Sequence, residues 1–143
     1  MTDNQSLDFV LAEHHVLTDL LGRVQSTLAG TAEGQSDLAS LLAEASTHLE
    51  EHFRHEESSG FFERAVAKAP RLSDQAAALK AEHQEFSELF VEFCESTSQP
   101  LNAGAWEALR SDFAAFMERF KRHEGQENRM LVEVYDRDIG SKD

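Results

Sequence analysis

Apolar residues recur along this chain at steps of three and four, the period of a helix with one buried face. In a first segment, Leu7, Val10, Leu11, Leu17, Leu21 and Val24 share a broad stripe, which predicts a helix over residues 6–29. "GTAEGQS" interrupts it. Leu38, Leu41, Leu42, Ala45 and Leu49 then predict a helix over 36–67, with Ser36 as its N-cap. "SSG" at 58–60 is a point where that helix kinks or loosens ahead of Phe61 and Phe62, and Pro70 ends it. Ala76, Leu79, Phe86, Phe90 and Phe93 predict a third helix over 73–97, capped by Ser73. After "STSQPLNAG", Trp106, Leu109, Phe113, Phe116 and Phe120 predict a fourth over 103–136. Only two prolines and seven glycines punctuate the 143 residues, which favours long helices over short strands. The expected fold is all-α, an antiparallel up-down four-helix bundle occupying 1–143 as a single domain.

Each stripe also carries polar residues that a plain core would not. His14, His52, His83 and His123 fall on the apolar faces of four different helices. Glu56 and Glu127 follow His52 and His123 by four residues, so each pair projects from one helical face. A carboxylate buried in such a stripe is costly unless it is paired or bound to a cation. Two carboxylates and four imidazoles call for about two di- or trivalent centres to balance them.

An internal repeat ties the six together. "LAEHHVLTDLL" (11–21) aligns with "KAEHQEFSELF" (80–90) at an offset of 69 residues, which lays His14 over His83 and Glu13 over Glu82. The second and fourth segments align at an offset of 71, His52 over His123 and Glu56 over Glu127. Each half thus supplies a lone histidine followed by a His-x3-Glu pair. His15 faces Gln84, His48 faces Arg119 and His55 faces Gln126 in this register, so all three fall outside the repeated set. His15, His55 and the other glutamates around 48–57 read as solvated surface. His48, one turn before His52 on the same face, reads as surface, as an extra ligand or as a residue supporting the ligands. Cys94 reads as a small core hydrophobe, and the phenylalanine stripe as core.

Composition narrows the function classes. Hydrophobic residues make up 41 % and charged residues 28 % of the chain, enough apolar content for one sizeable core. A formal net charge of −14 disfavours nucleic acid and anionic membranes as partners. It also attracts cations, without specifying a site. The single cysteine rules out an internal disulfide and the cysteine-rich zinc folds. No basic leader and no membrane-length apolar run is visible, so a soluble, cytoplasmic protein is expected.

A lone histidine, then His-x3-Glu, then the same again on four helices, resembles the hemerythrin-like (HHE cation-binding) domain family. The strings "AEHHVLTDLL", "HFRHEES" and "RHEGQENRML" carry the likeness. A ferritin-like site would show Glu-x-x-His, and a metzincin His-Glu-x-x-His; neither occurs here. The resemblance implies that His14 and His52 ligate one iron and His83 and His123 the other. Glu56 and Glu127 would bridge them together with an oxo or hydroxo group. The donor set alone also accommodates zinc or manganese.

The chain departs from the oxygen-carrying hemerythrins at one place. They have His-x3-His on the third helix, whereas Ser87 stands four residues after His83. Six protein ligands instead of seven favour sensing or redox handling of dioxygen, peroxide or nitric oxide over reversible carriage. A di-iron peroxidase, an oxidase or a nitric-oxide-processing enzyme is the second class. A metal-stabilised interaction module, its protein partner unspecified, is the third. The only tyrosine, Tyr135, receives no role, and no catalytic residue is assigned.

Overall fold

The structure, a computed structural model, describes the backbone of residues 3–140 and the side chains of 8–133. Leu7 and Tyr135 therefore lie outside the described side chains. Five helices span the described residues: α1 (Asp3–Leu28), α2 (Gln35–Ser58), α3 (Phe61–Lys68), α4 (Ser73–Ser96) and α5 (Ala103–Gly140). Single 3-10 turns at Ala32–Gly34 and Pro70–Leu72 lead into α2 and α4. The four long helices pack as a ring, α1 on α2, α2 on α4, α4 on α5 and α5 on α1, the all-α bundle that the periodicity predicts. No described helix is long and apolar enough to cross a membrane.

The expected helix over 36–67 is two helices. Gly60 takes φ +77°, a left-handed conformation that glycine adopts without a Cβ penalty, and it ends α2 and starts the eight-residue α3. The two expected serine caps are also corrected. Ser36 lies inside α2, which begins at Gln35, and Ser73 is already helical, because Pro70 opens a 3-10 turn that runs straight into α4. Gln35 instead secures the far loop: its Nε2 donates to the Gln99 carbonyl at 2.7 Å, and its Oε1 accepts from Leu101 N at 2.8 Å. Asn102 caps α5, its Oδ1 accepting from Ala105 N at 2.8 Å. Carbonyls left open at the end of α1 are met from α5. Trp106 Nε1 donates to Leu28 O at 3.1 Å, and Arg110 Nη2 to Gly30 O at 3.0 Å.

Two hydrophobic clusters result. The larger fills the ring with Leu21, Leu42, Leu49, Phe86, Phe113 and Phe120 among others. Cys94 packs against its edge half-buried, and burial pushes its thiol pKa up. The smaller joins α3 to the start of α4 and the far part of α5, through Phe61, Phe62, Leu79, Met130 and Leu131. Along α4, His83 stands between Leu79 of the smaller cluster and Phe86 of the larger; along α5, His123 and Glu127 stand between Phe120 and Met130. The polar residues form a layer where the two clusters meet.

Candidate metal centre

All six repeated residues are buried: His14, His52, Glu56, His83, His123 and Glu127. Their helical periodicity aims one ring nitrogen of each histidine inward. His52 Nε2 lies 3.2 Å from Glu56 Oε1, and His123 Nε2 lies 3.2 Å from Glu127 Oε2, each across one turn of its own helix. His83 Nε2 lies 3.4 Å from Glu56 and 3.3 Å from Glu127, so both carboxylates reach α4. His14 Nε2 lies 3.6 Å from Glu127 and 3.9 Å from Glu56.

Donor atoms converge in two groups, each compact enough for one metal ion. The first is His14, His52, Glu56 and Glu127; the second is His83, His123 and Glu127. Within this layer His14 Nε2, His52 Nε2, His123 Nε2, both Glu56 oxygens and Glu127 Oε1 are buried without a hydrogen-bond partner among the described residues. Buried polar atoms left unpaired cost about 1–3 kcal/mol each, more when charged. So many around one centre fit a cation site and fit poorly as a self-sufficient polar core.

The outer nitrogens are tied down by residues that periodicity did not single out. His52 Nδ1 lies 3.0 Å from Glu13 Oε1, His83 Nδ1 lies 2.8 Å from Glu57 Oε2, and His123 Nδ1 lies 2.9 Å from Glu82 Oε1. An ionised carboxylate only accepts, so Nδ1 donates in each pair and Nε2 is left to face the interior. Glu57 had read as surface, and it is 44 % exposed at the side chain, yet it holds a buried ligand candidate. Glu13 and Glu82 did carry a signal, since the repeat lays one over the other. Their partners sit on other helices, which no single-helix pattern reveals.

His15 is exposed and joins neither group. His48 is half-buried and also stands outside both. His55, 47 % exposed, is the surface residue expected, but its Nδ1 also donates to Glu13 at 2.8 Å. Glu13 therefore takes two imidazoles at once. Burial would raise the Glu13 pKa, and its hydrogen bonds to His52 and His55 override this and lower it. Burial of Glu124, beside His14, pushes that carboxyl upward.

Aromatic rings close the layer. Phe53 stacks on His83 with centroids 4.0 Å apart and planes 11° apart, and Phe62 of α3 meets the same ring edge-on at 5.7 Å. Phe86 meets His123 edge-on at 5.2 Å. One side is open: a cavity of about 500 Å³ between α2 and α4 is lined by His83, Glu57, Ser87, Arg54 and Lys80 among others. Ser87 stands on this wall, one turn beyond His83.

A family model described as Hemerythrin HHE cation binding domain matches residues 5–135, nearly the whole chain. Searches of curated proteins and of solved structures gave no match.

Proposed function

The chain belongs to the hemerythrin HHE cation-binding domain family, and from that premise we propose a di-iron protein that meets dioxygen, peroxide or nitric oxide in the bundle core. The observation that carries the reading is the convergence of buried, unpartnered imidazole and carboxylate atoms into two adjoining groups. His14 and His52 would hold one ion and His83 and His123 the other, with Glu56 and Glu127 shared between them. Mixed nitrogen and oxygen donors suit iron. When bound, an iron pair supplies Lewis-acidic, redox-active centres.

The protein's own residues set the conditions around that pair. Phe53, Phe62, Phe86 and Phe120 exclude water and lower the local dielectric, which strengthens every charge interaction in the layer. Glu13, Glu57 and Glu82 keep three imidazoles in the tautomer that turns Nε2 inward. The α2/α4 cavity gives a small molecule a way to the His83 side. Ser87 offers a short hydroxyl where the oxygen carriers have a seventh protein ligand, a fifth imidazole. A pair with six protein donors keeps more positions for outside ligands, which supports sensing or redox handling. The same cavity favours, as a second reading, a peroxidase- or oxidase-type activity.

Metal analysis combined with an optical spectrum before and after oxygen tests this. Two irons per chain and a reversible colour change on exposure to air are expected. Peroxide turnover with irreversible oxidation would move the reading to the enzyme, and a colourless protein with stoichiometric zinc would sink both.

A further inference from the structure

The four imidazoles are held unequally. Three of them donate from Nδ1 to a carboxylate: His52 at 3.0 Å, His83 at 2.8 Å and His123 at 2.9 Å. The carboxylate oxygen facing His14 Nδ1, Glu124 Oε2, is 3.9 Å away, beyond hydrogen-bond length. The inner nitrogens show the same order. His14 Nε2 approaches the shared carboxylates to 3.6 and 3.9 Å, while His52, His83 and His123 approach them to 3.2, 3.3 and 3.2 Å.

We infer that the two metal positions differ in lability: the ion between His83 and His123 is the retained one, and the ion between His14 and His52 is the exchangeable one. This rests on the two-metal reading above. Outer carboxylates clamp both imidazoles of the retained position, His83 and His123, and only one imidazole, His52, of the exchangeable one. A clamped ring is already oriented before metal arrives, so less freedom is lost on binding. It also stays in place if its bond to metal breaks, so recapture competes with escape. Its carboxylate raises the donor strength of Nε2, and loss of such an outer partner lowers metal affinity roughly 10- to 100-fold. The Phe53 face and the Phe62 edge further confine His83.

Donor number works in the opposite direction only weakly. The first group contains Glu56 and the second does not, but Glu56 Oε1 lies 3.4 Å from His83 Nε2, within easy reach of the second position. Anchoring is the larger asymmetry.

The test is chelator release from the whole protein. Protein loaded anaerobically with two Fe2+ is mixed with an excess of a strong ferrous chelator, and formation of the coloured complex is followed. Two phases of one ion each are expected, with rates roughly 10- to 100-fold apart. Glu82→Gln keeps an acceptor oxygen and removes the charge; it should accelerate the slow phase alone. Glu13→Gln should accelerate the fast phase alone, and His14→Ala should retain a single ion with the slow phase intact. Circular dichroism establishes that each variant is folded. Release of both ions in one phase, or an effect of Glu82→Gln confined to the fast phase, overturns the inference and leaves the two-metal reading standing. Saturation of the wild type at one Fe2+ or fewer overturns the two-metal reading, and this inference with it.

Discussion

Position 53 in the first half of the chain is a phenylalanine; its counterpart 71 residues later is Glu124. Phe53 stacks flat on His83, the lone histidine of the other half, at 4.0 Å. Glu124 stands instead beside His14, the lone histidine of its own opposite half, and stops at 3.9 Å from Nδ1. The inner donors of the two halves match residue for residue, while their surroundings do not. The first half also runs on into α3, which brings Phe62 to the edge of His83. The repeat thus governs the six residues that converge, and local differences govern how firmly each is held.

The strongest way to break that equivalence is to remove a shared carboxylate. Glu127 belongs to both groups of donors, whereas Glu56 belongs to one. Glu127→Ala is expected to abolish loading of both ions, and Glu56→Ala to leave no more than one, as read by metal analysis. Equal and full loading of both variants would show that the carboxylates are not shared. The next effect is on stability. Phe53 is nearly fully buried, so Phe53→Ala should cost about 3–5 kcal/mol through the cavity it leaves. Glu124→Gln, at the matching position, should cost far less in the same denaturant titration.

A pH titration should find the two lone histidines alike. Burial alone would lower the pKa of His14 and of His83, but the Glu127 and Glu56 carboxylates that face them override it and raise both from 6.5 to about 10. A value raised on folding adds stability that is present in full below the unfolded value and is lost as pH climbs through the folded one. Metal-free protein should therefore lose thermal stability between about pH 6.5 and about pH 10. A melting temperature flat across that window would mean that these carboxylates do not hold the histidines charged. Metal must displace the same protons, so loading should acidify a weakly buffered solution.

Smaller effects sharpen the comparison. Ser87→His places an imidazole one turn after His83 on the cavity wall. It should slow the binding of an added small anion such as azide, followed by its absorption band, with two-metal stoichiometry unchanged. His15→Ala alters an exposed side chain outside the repeat, so stability should stay within about 0.5 kcal/mol and metal content should not move. Metal loss in this variant would put the register of the repeat in doubt.

The bundle and its six inner residues were legible because burial leaves a period. His14, His52, His83 and His123 sit in apolar stripes, and a buried carboxylate four residues after a histidine needs a counter-charge. The break at Gly60 was marked by "SSG", but periodicity could not say whether the helix bends or stops. The serine caps failed because the chain enters α2 and α4 already turning, from 3-10 turns, so neither Ser36 nor Ser73 occupies the half-extended position that a cap requires.

What the sequence determined by itself is whatever recurs within one helix or between matching helices: the stripes, the two His-x3-Glu pairs and the pairing of Glu13 with Glu82. Tertiary structure alone decided the contacts between helices. It joined Glu13 of α1 to His52 of α2, Glu57 of α2 to His83 of α4, and Glu82 of α4 to His123 of α5, and among the described residues it gave His14 no equivalent. The physical reason is one of range. Helical spacing dictates which residues share a face, but a hydrogen bond of about 3 Å depends on how two helices are set against each other, and no spacing along either one encodes that.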